Sequence, residues 1–237
     1  MIPIQTHSAW RGTSDCRSCA VRELALFSQL TEDDFALIHA PIDDLAYRTH
    51  QVLFNEGDEA SGIFTLRSGM LKLSRITRDG RRRILRLLRP GDVVGLEALA
   101  TGRYESEAAA LTDVTLCRIP NDVVHKLNKS SPRMHAGLLD KWQKALREAD
   151  DWLAAINFGT ARQRMCHFIL KMRHTTDPSV VTLFSREDMG AMMDLKQETV
   201  SREISALVKL GALQPVDKLG RIYRIVDESL LQSASDQ

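Results

Sequence analysis

Between about residue 46 and residue 119, apolar positions come in short bursts separated by glycine turns. Gln51-Val52-Leu53-Phe54 runs into Gly57-Asp58, Ile63-Phe64-Thr65-Leu66 into Ser68-Gly69, and Met70-Leu71-Lys72-Leu73 into Asp79-Gly80. Ile84 to Leu88 precedes Pro90-Gly91-Asp92, and Val114 to Ile119 closes the series. Short strands with such turns predict an antiparallel β-roll or sandwich. The period then changes. Over 132–157, Leu139, Trp142, Leu146, Ala149, Leu153 and Ile156 recur three and four apart, predicting one long helix with a coiled-coil seam. From Ser185 to Gly211 the pattern predicts two short amphipathic helices broken at Asp194-Leu195-Lys196. Ser185 followed by Asp188 is a cap signature for the first, and Met189, Met192 and Met193 give it an apolar side. Val200, Ile204, Leu207 and Leu210 form the buried face of the second, and Gly211 ends it. Leu213 to Val226 reads as two strands around a Lys218-Leu219-Gly220-Arg221 turn, a wing beside the helix pair.

These elements predict an α+β chain in four parts. Residues 1–20 are an N-terminal Cys-x-x-Cys segment and 21–130 a β-roll sensor domain. Residues 131–158 are a dimerisation helix, and 159–237 a winged helix-turn-helix. A helix-turn-helix packs its second helix by one face and turns a polar N-terminal end towards base edges in the major groove. Lys196, Gln197, Glu198, Thr199, Ser201 and Arg202 are the candidates at that end. Arg202 has two donors for a guanine, and Glu198 accepts from a cytosine amino group. Read blandly, Glu198 and Arg202, four apart, make a surface pair worth a few tenths of a kcal/mol.

Composition narrows the classes. At 237 residues, with 43% hydrophobic and 27% charged, the chain is long enough for two buried cores. A net charge of +1 does not suit a nonspecific nucleic-acid binder, so any DNA contact must come from a local patch. Arg78, Arg81, Arg82, Arg83, Arg86 and Arg89 cluster in one predicted hairpin and are read as a solvated face. No apolar run approaches the ~18 residues of a membrane span, and the first residues lack a signal-type apolar core, so a cytoplasmic protein is expected. No nucleophile–base constellation, P-loop or metalloprotease motif points to an enzyme. A ligand-binding β-roll module without DNA binding is the alternative from another class, against which Glu198, Ser201 and Arg202 speak.

Four cysteines without a secretion signal suit a reducing compartment. Cys16 and Cys19 have the spacing to share one metal or cluster, but two ligands do not complete a site. Cys166, among Met165, Phe168 and Ile169, reads as a small core residue.

The run Gln197-Glu198-Thr199-Val200-Ser201-Arg202 resembles the E-[TS]-[VI]-S-R recognition helix of the Crp/Fnr superfamily of bacterial transcription regulators, in its Fnr-like branch. The layout EGDEASGIFTLRSGMLKL resembles the cyclic-nucleotide-binding β-roll of the same superfamily. The resemblance implies that Glu198, Ser201 and Arg202 read a TTGAT-like half-site on double-stranded DNA. It also implies a homodimer through the long helix and RNA polymerase as a partner. Cyclic-nucleotide binders of the superfamily clamp the phosphate with an Arg-Ser pair. Here the corresponding stretch is Tyr104-Glu105-Ser106-Glu107-Ala108, so an acid stands where the anion would be and cAMP is not expected. In the Fnr branch a [4Fe–4S] cluster is held by three N-terminal cysteines and one on the roll. Cys16, Cys19 and Cys117 match three of those positions, while the remaining slot falls on Ala25 or Phe27, neither of which ligates. The residues leave open a three-thiolate cluster with Asp15, His7 or water as fourth ligand, and a disulfide switch. Oxygen or redox state is the expected input, with a haem-bound gas, another small ligand, or no effector as the alternative.

Overall fold

The computed structural model describes residues 25–35, 37–38, 40, 42–156, 158–174 and 177–236. Cys16 and Cys19, and with them the expected 1–20 segment, lie outside the described residues. The chain divides into two units, Met1–Arg75 with Leu85–Arg147, and Ile76–Ile84 with Glu148–Gln237. The 131–158 helix, expected to stand as a part of its own, is therefore shared between them at Arg147/Glu148.

The first unit opens with α1 (Glu32–Phe35) and continues through β1 (Asp43–Tyr47), β2 (Val52–Phe54), β3 (Gly62–Ser68), β4 (Leu71–Ile76), β5 (Arg82–Leu88) and β6 (Val93–Val94). After α2 (Ala98–Thr101) come β7 (Glu107–Ala110), β8 (Val114–Pro120), α3 (Asn121–Ser130) and the start of α4 (Pro132–Ile156). The strands form two four-stranded sheets, β1-β8-β3-β6 and β2-β7-β4-β5. Phe54, Phe64, Leu66, Leu71, Val94 and Leu116 form one buried cluster. The alternation within β3 and β8 sends Ile63, Cys117 and Ile119 into a second cluster, with Leu26, Phe35 and Leu127. A sheet covered on both faces loses the polar–apolar alternation of a half-solvated one, which is why Gly62 to Leu66 is buried throughout. Thr31 and Asp34 anchor the covering segment. Asp34 Oδ2 accepts from the Thr31 amide at 2.9 Å and from Arg133 Nε at 2.9 Å.

In the second unit the last turns of α4 join α5 (Ala161–Lys171), β9 (Val180–Thr182), α6 (Arg186–Met193), α7 (Gln197–Lys209), β10 (Leu213–Pro215), β11 (Ile222–Ile225) and α8 (Glu228–Asp236). The sheet order is β10-β11-β9. Trp152 packs on Phe168 with ring centroids 6.2 Å apart, and the Lys171 ammonium lies 4.8 Å from the Trp152 ring. Ile156, placed on the seam by its spacing, is instead 3% exposed. Once α4 reaches Trp152 its apolar positions divide between this core and solvent. Leu139, Trp142, Leu146 and Leu153 remain exposed, from 42% at Trp142 to 64% at Leu146, and Ala149 is half-buried. Among the described residues no helix is long and apolar enough to cross a membrane.

Candidate nucleic-acid interface

The helix pair is built from its caps inward. Ser185 Oγ accepts from the Asp188 amide at 3.0 Å and donates to Asp188 Oδ2 at 2.8 Å, closing the first turn of α6. The helix stops at Asp194, whose left-handed backbone (φ 53°) turns the chain. The Leu195 amide donates back to the Gly190 carbonyl at 3.0 Å. The turn lies against α6 so closely that a Cβ on Gly190 would sit 2.5 Å from the Leu195 carbonyl oxygen. Arg164 on α5 donates to the Met193 carbonyl at 2.6 Å, satisfying an orphan acceptor at the end of α6. Arg81 and Arg83, from the 76–84 part of this unit, pair with Asp194, so part of the arginine run expected as a solvated hairpin is engaged at the turn.

From that turn α7 sets Val200, Ile204 and Leu207 into the core. Leu210, expected on the same face, is the C-cap and is exposed, because the chain leaves the helix there. Arg162 on α5 reaches Glu203 Oε2 at 2.9 Å and fixes the rotation of α7. The opposite face is bare. Lys196, Gln197, Glu198, Ser201 and Arg202 are exposed and Thr199 is half-buried. Among the described residues no ion pair joins Glu198 to Arg202. The Arg202 side chain is 73% exposed, and its Nε is 4.0 Å from Glu203 Oε1. An α-helix matches the width of the DNA major groove, and these donors and acceptors occupy its leading turns.

The wing is held by an acid that the sequence pattern does not single out. Asp217 Oδ1 accepts from the Ile222 amide at 2.8 Å and the Arg221 amide at 2.9 Å. Those backbone donors hold its carboxyl below the usual range despite some desolvation. Arg186 bridges α6 to the wing through the Gly220 carbonyl (3.3 Å) and the Tyr223 hydroxyl (3.1 Å). Lys218, Arg221 and Arg224 are left exposed beside α7. Arg164, Arg186 and Glu203 carry no periodic or motif signal, and their roles appear only when distant segments meet; Asp217 acts within its own turn.

On the roll, Tyr104 stacks on Phe54 with centroids 3.7 Å apart and donates its hydroxyl to the Gly62 carbonyl at 2.7 Å. Burial raises the phenol pKa above its ordinary value. Glu107, at the position of the superfamily's anion clamp, accepts from Ser74 Oγ at 3.2 Å. A carboxylate there disfavours a phosphate, while an arginine would hold it.

The two thiols among the described residues differ. Cys166 is fully buried on α5, and desolvation pushes its pKa up to about 11, which makes it an inert core residue. Cys117 on β8 is buried in the cluster containing Leu26 and Phe27, with its Sγ 3.6 Å from Asp44 Oδ1. Phe27 is itself part of that core, so one of the two slots for a fourth thiolate holds a packing residue. A cubane normally takes four thiolates. Of the three cysteines expected to ligate, Cys117 is the one among the described residues.

A β-roll and a winged helix-turn-helix with an exposed polar helix face, carried in one chain, are the parts of a DNA-binding regulator. Residues 45–131 match the cyclic nucleotide-binding domain family, and residues 163–234 match the Crp-like helix-turn-helix domain. The chain belongs to the Crp/Fnr family of transcription regulators, which are not enzymes. It is 26% identical over 205 residues to the anaerobic regulatory protein of Aggregatibacter actinomycetemcomitans, covering 84% of this chain and 80% of that one. It is likewise 26% identical over 208 residues to the transcriptional activator FnrL of Cereibacter sphaeroides, with 84% and 83% covered. The structure of FixK2 from Bradyrhizobium japonicum superposes with a TM-score of 0.71 at 24% identity, covering 82% of this chain and 98% of that one, a likeness of fold.

Proposed function

We propose that this regulator is a cytoplasmic homodimer that reads TTGAT-like half-sites and takes oxygen or redox state, rather than cAMP, as its input. The observation that carries the DNA reading is the bare leading face of α7. Glu198, Ser201 and Arg202 stand exposed on a helix locked behind by Val200, Ile204, Leu207 and the Arg162–Glu203 pair. A side chain held on a rigid element and left exposed is arranged to meet an external partner. Lys196, Gln197 and Thr199 flank it, and Lys218, Arg221 and Arg224 supply phosphate contacts.

Dimerisation is supported by Leu139, Trp142, Leu146 and Leu153, four large apolar side chains exposed along one helix. Such a stripe asks for a partner helix, and a two-fold protein presents two recognition helices to half-sites roughly 34 Å apart. The effector reading draws on the anaerobic regulatory proteins among the relatives. Cys16, Cys19 and Cys117 would be its thiols. RNA polymerase is the partner that family membership suggests.

The deciding experiment is binding of wild type and Arg202→Ala to a half-site duplex and to a scrambled one at fixed salt. Discrimination at the contacted guanine falls by ~1–3 kcal/mol in the variant. Unchanged discrimination would remove Arg202 from base readout.

A further inference from the structure

The tip of the hairpin between β4 and β5 is stiff and basic. The Thr77 amide donates to the Arg81 carbonyl at 2.9 Å and the Gly80 amide to the Thr77 carbonyl at 2.9 Å, with Gly80 at a φ of 77°. Arg81 Nε donates to Asp79 Oδ2 at 2.5 Å. Residues 76–84 belong to the same unit as α6 and α7. There Arg81 Nη1 lies 3.5 Å from Asp194 Oδ1, and Arg83 pairs with the same oxygen. Two guanidiniums on one carboxylate hold the tip against the turn from which α7 departs. Arg78 and Arg82 are exposed beside them, and Arg78 pairs with no acid among the described residues.

Charge and distance define what this tip can meet. Residues 78–83 carry four arginines and Asp79; with Asp194 added, an excess of two positive charges remains, against +1 for the whole chain. A chain so nearly neutral needs a local excess of this kind to hold a polyanion. Asp194 precedes Gln197, the first residue of α7, by three positions, at most about 11 Å of chain. The major groove is about 12 Å wide, so a helix lying in it has a phosphate backbone on the order of 6 Å to either side. A group seated on the turn is therefore within reach of that backbone, while the base edges are left to α7. A bare Asp194 at this place would repel phosphates; Arg81 and Arg83 cover its charge. We propose that the β4–β5 hairpin is a phosphate-binding element for DNA, with Arg78 contacting the backbone beside the groove that α7 enters and Arg81 and Arg83 as positioning residues. The contact rests on the DNA reading above and adds affinity to it without sequence information.

The test measures Kd against salt concentration for full-length protein on a duplex carrying the half-sites and on a scrambled one, with far-UV circular dichroism on each variant to control for folding. Losing one phosphate contact lowers the log–log slope by about 0.9 for each bound chain. Arg78→Ala is expected to do so and to weaken both duplexes by the same factor, whereas Arg202→Ala changes their ratio. Arg86→Ala, on β5 but outside residues 76–84, leaves the slope unaltered. Asp194→Asn keeps a residue that tolerates the left-handed turn and releases the hairpin, so Arg78→Ala added to it lowers the slope by less than it does alone. A wild-type slope in folded Arg78→Ala overturns the contact, as does an equal fall in Arg86→Ala. A full further fall in the Asp194→Asn background overturns the positioning role of Arg81 and Arg83. Reduced transcription by Arg78→Ala with an unaltered slope overturns the DNA contact and assigns the hairpin to RNA polymerase. If wild type fails to distinguish the two duplexes, the base-reading account falls; the hairpin contact falls only with the slope.

Discussion

Replacing Gly190 by alanine separates two physical accounts of the helix pair because they disagree in sign. Gly190 lies inside α6, has no left-handed backbone, and by propensity alone should gain about 1 kcal/mol on becoming alanine. The structure puts a Cβ there 2.5 Å from the Leu195 carbonyl oxygen, with the Leu195 carbonyl carbon at 3.5 Å and the Gln197 amide nitrogen at 3.8 Å. All three are backbone atoms of the turn and cannot rotate away. Overpacking of this kind costs about 1–3 kcal/mol, enough to cancel the propensity gain and leave a net loss of up to about 2 kcal/mol. The displaced atoms lead straight into Gln197, so α7 moves with them and specific DNA affinity falls further than stability does. Urea unfolding followed through Trp152, which is buried in this unit, reads the first effect, and half-site binding of the folded variant reads the second. A rise in urea midpoint with unchanged DNA affinity would show that the turn does not lie against α6, and the account of how α7 is aimed would fail with it.

Two further outcomes follow from the first unit and the long helix. Leu146→Glu places a charge on the exposed apolar stripe; removing a Leu from each of two copies forfeits about 3 kcal/mol or more, raising the dimer Kd at least ~10²-fold. Sedimentation would show it, and an unaltered dimer mass would relocate the interface. Asp34 is buried, which by itself would raise its pKa, yet the Arg133 guanidinium, the Thr31 amide and hydroxyl, and the Ser131 hydroxyl hold it at about 2, below its ordinary 3.8. A depressed folded pKa gives stability that is complete above the unfolded value and is lost as pH falls towards 2. Asp34→Asn is therefore less stable than wild type at pH 7, and the gap in urea midpoint closes between pH 4 and 2; a gap independent of pH would mean the carboxylate charge contributes nothing.

The sequence by itself determined those elements whose signals are local, whereas β1, β7, β9 and α8 carry no such signal and appear only in the structure. Strand bursts punctuated by glycine, the Ser185 cap, the break at Asp194 and the stop at Gly211 are all set by local backbone preference, and each falls where its residues place it. The polar leading turn of α7 was legible for the same reason, since helical period alone separates Glu198, Ser201 and Arg202 from Val200 and Ile204. Only the tertiary structure decided what depends on two distant segments meeting. Ile156 shares the seam's period with Leu153, yet it is buried while Leu153 stays exposed, because burial depends on what packs against each side of a helix. Arg164, Arg186 and Glu203 hold α5, α6, α7 and the wing together through partners 29 to 41 positions away in the chain. Asp44 lies 73 positions from Cys117 and reaches it only through strand register. Periodicity fixes which face a side chain takes on its own element; pairing and packing choose the atoms it meets.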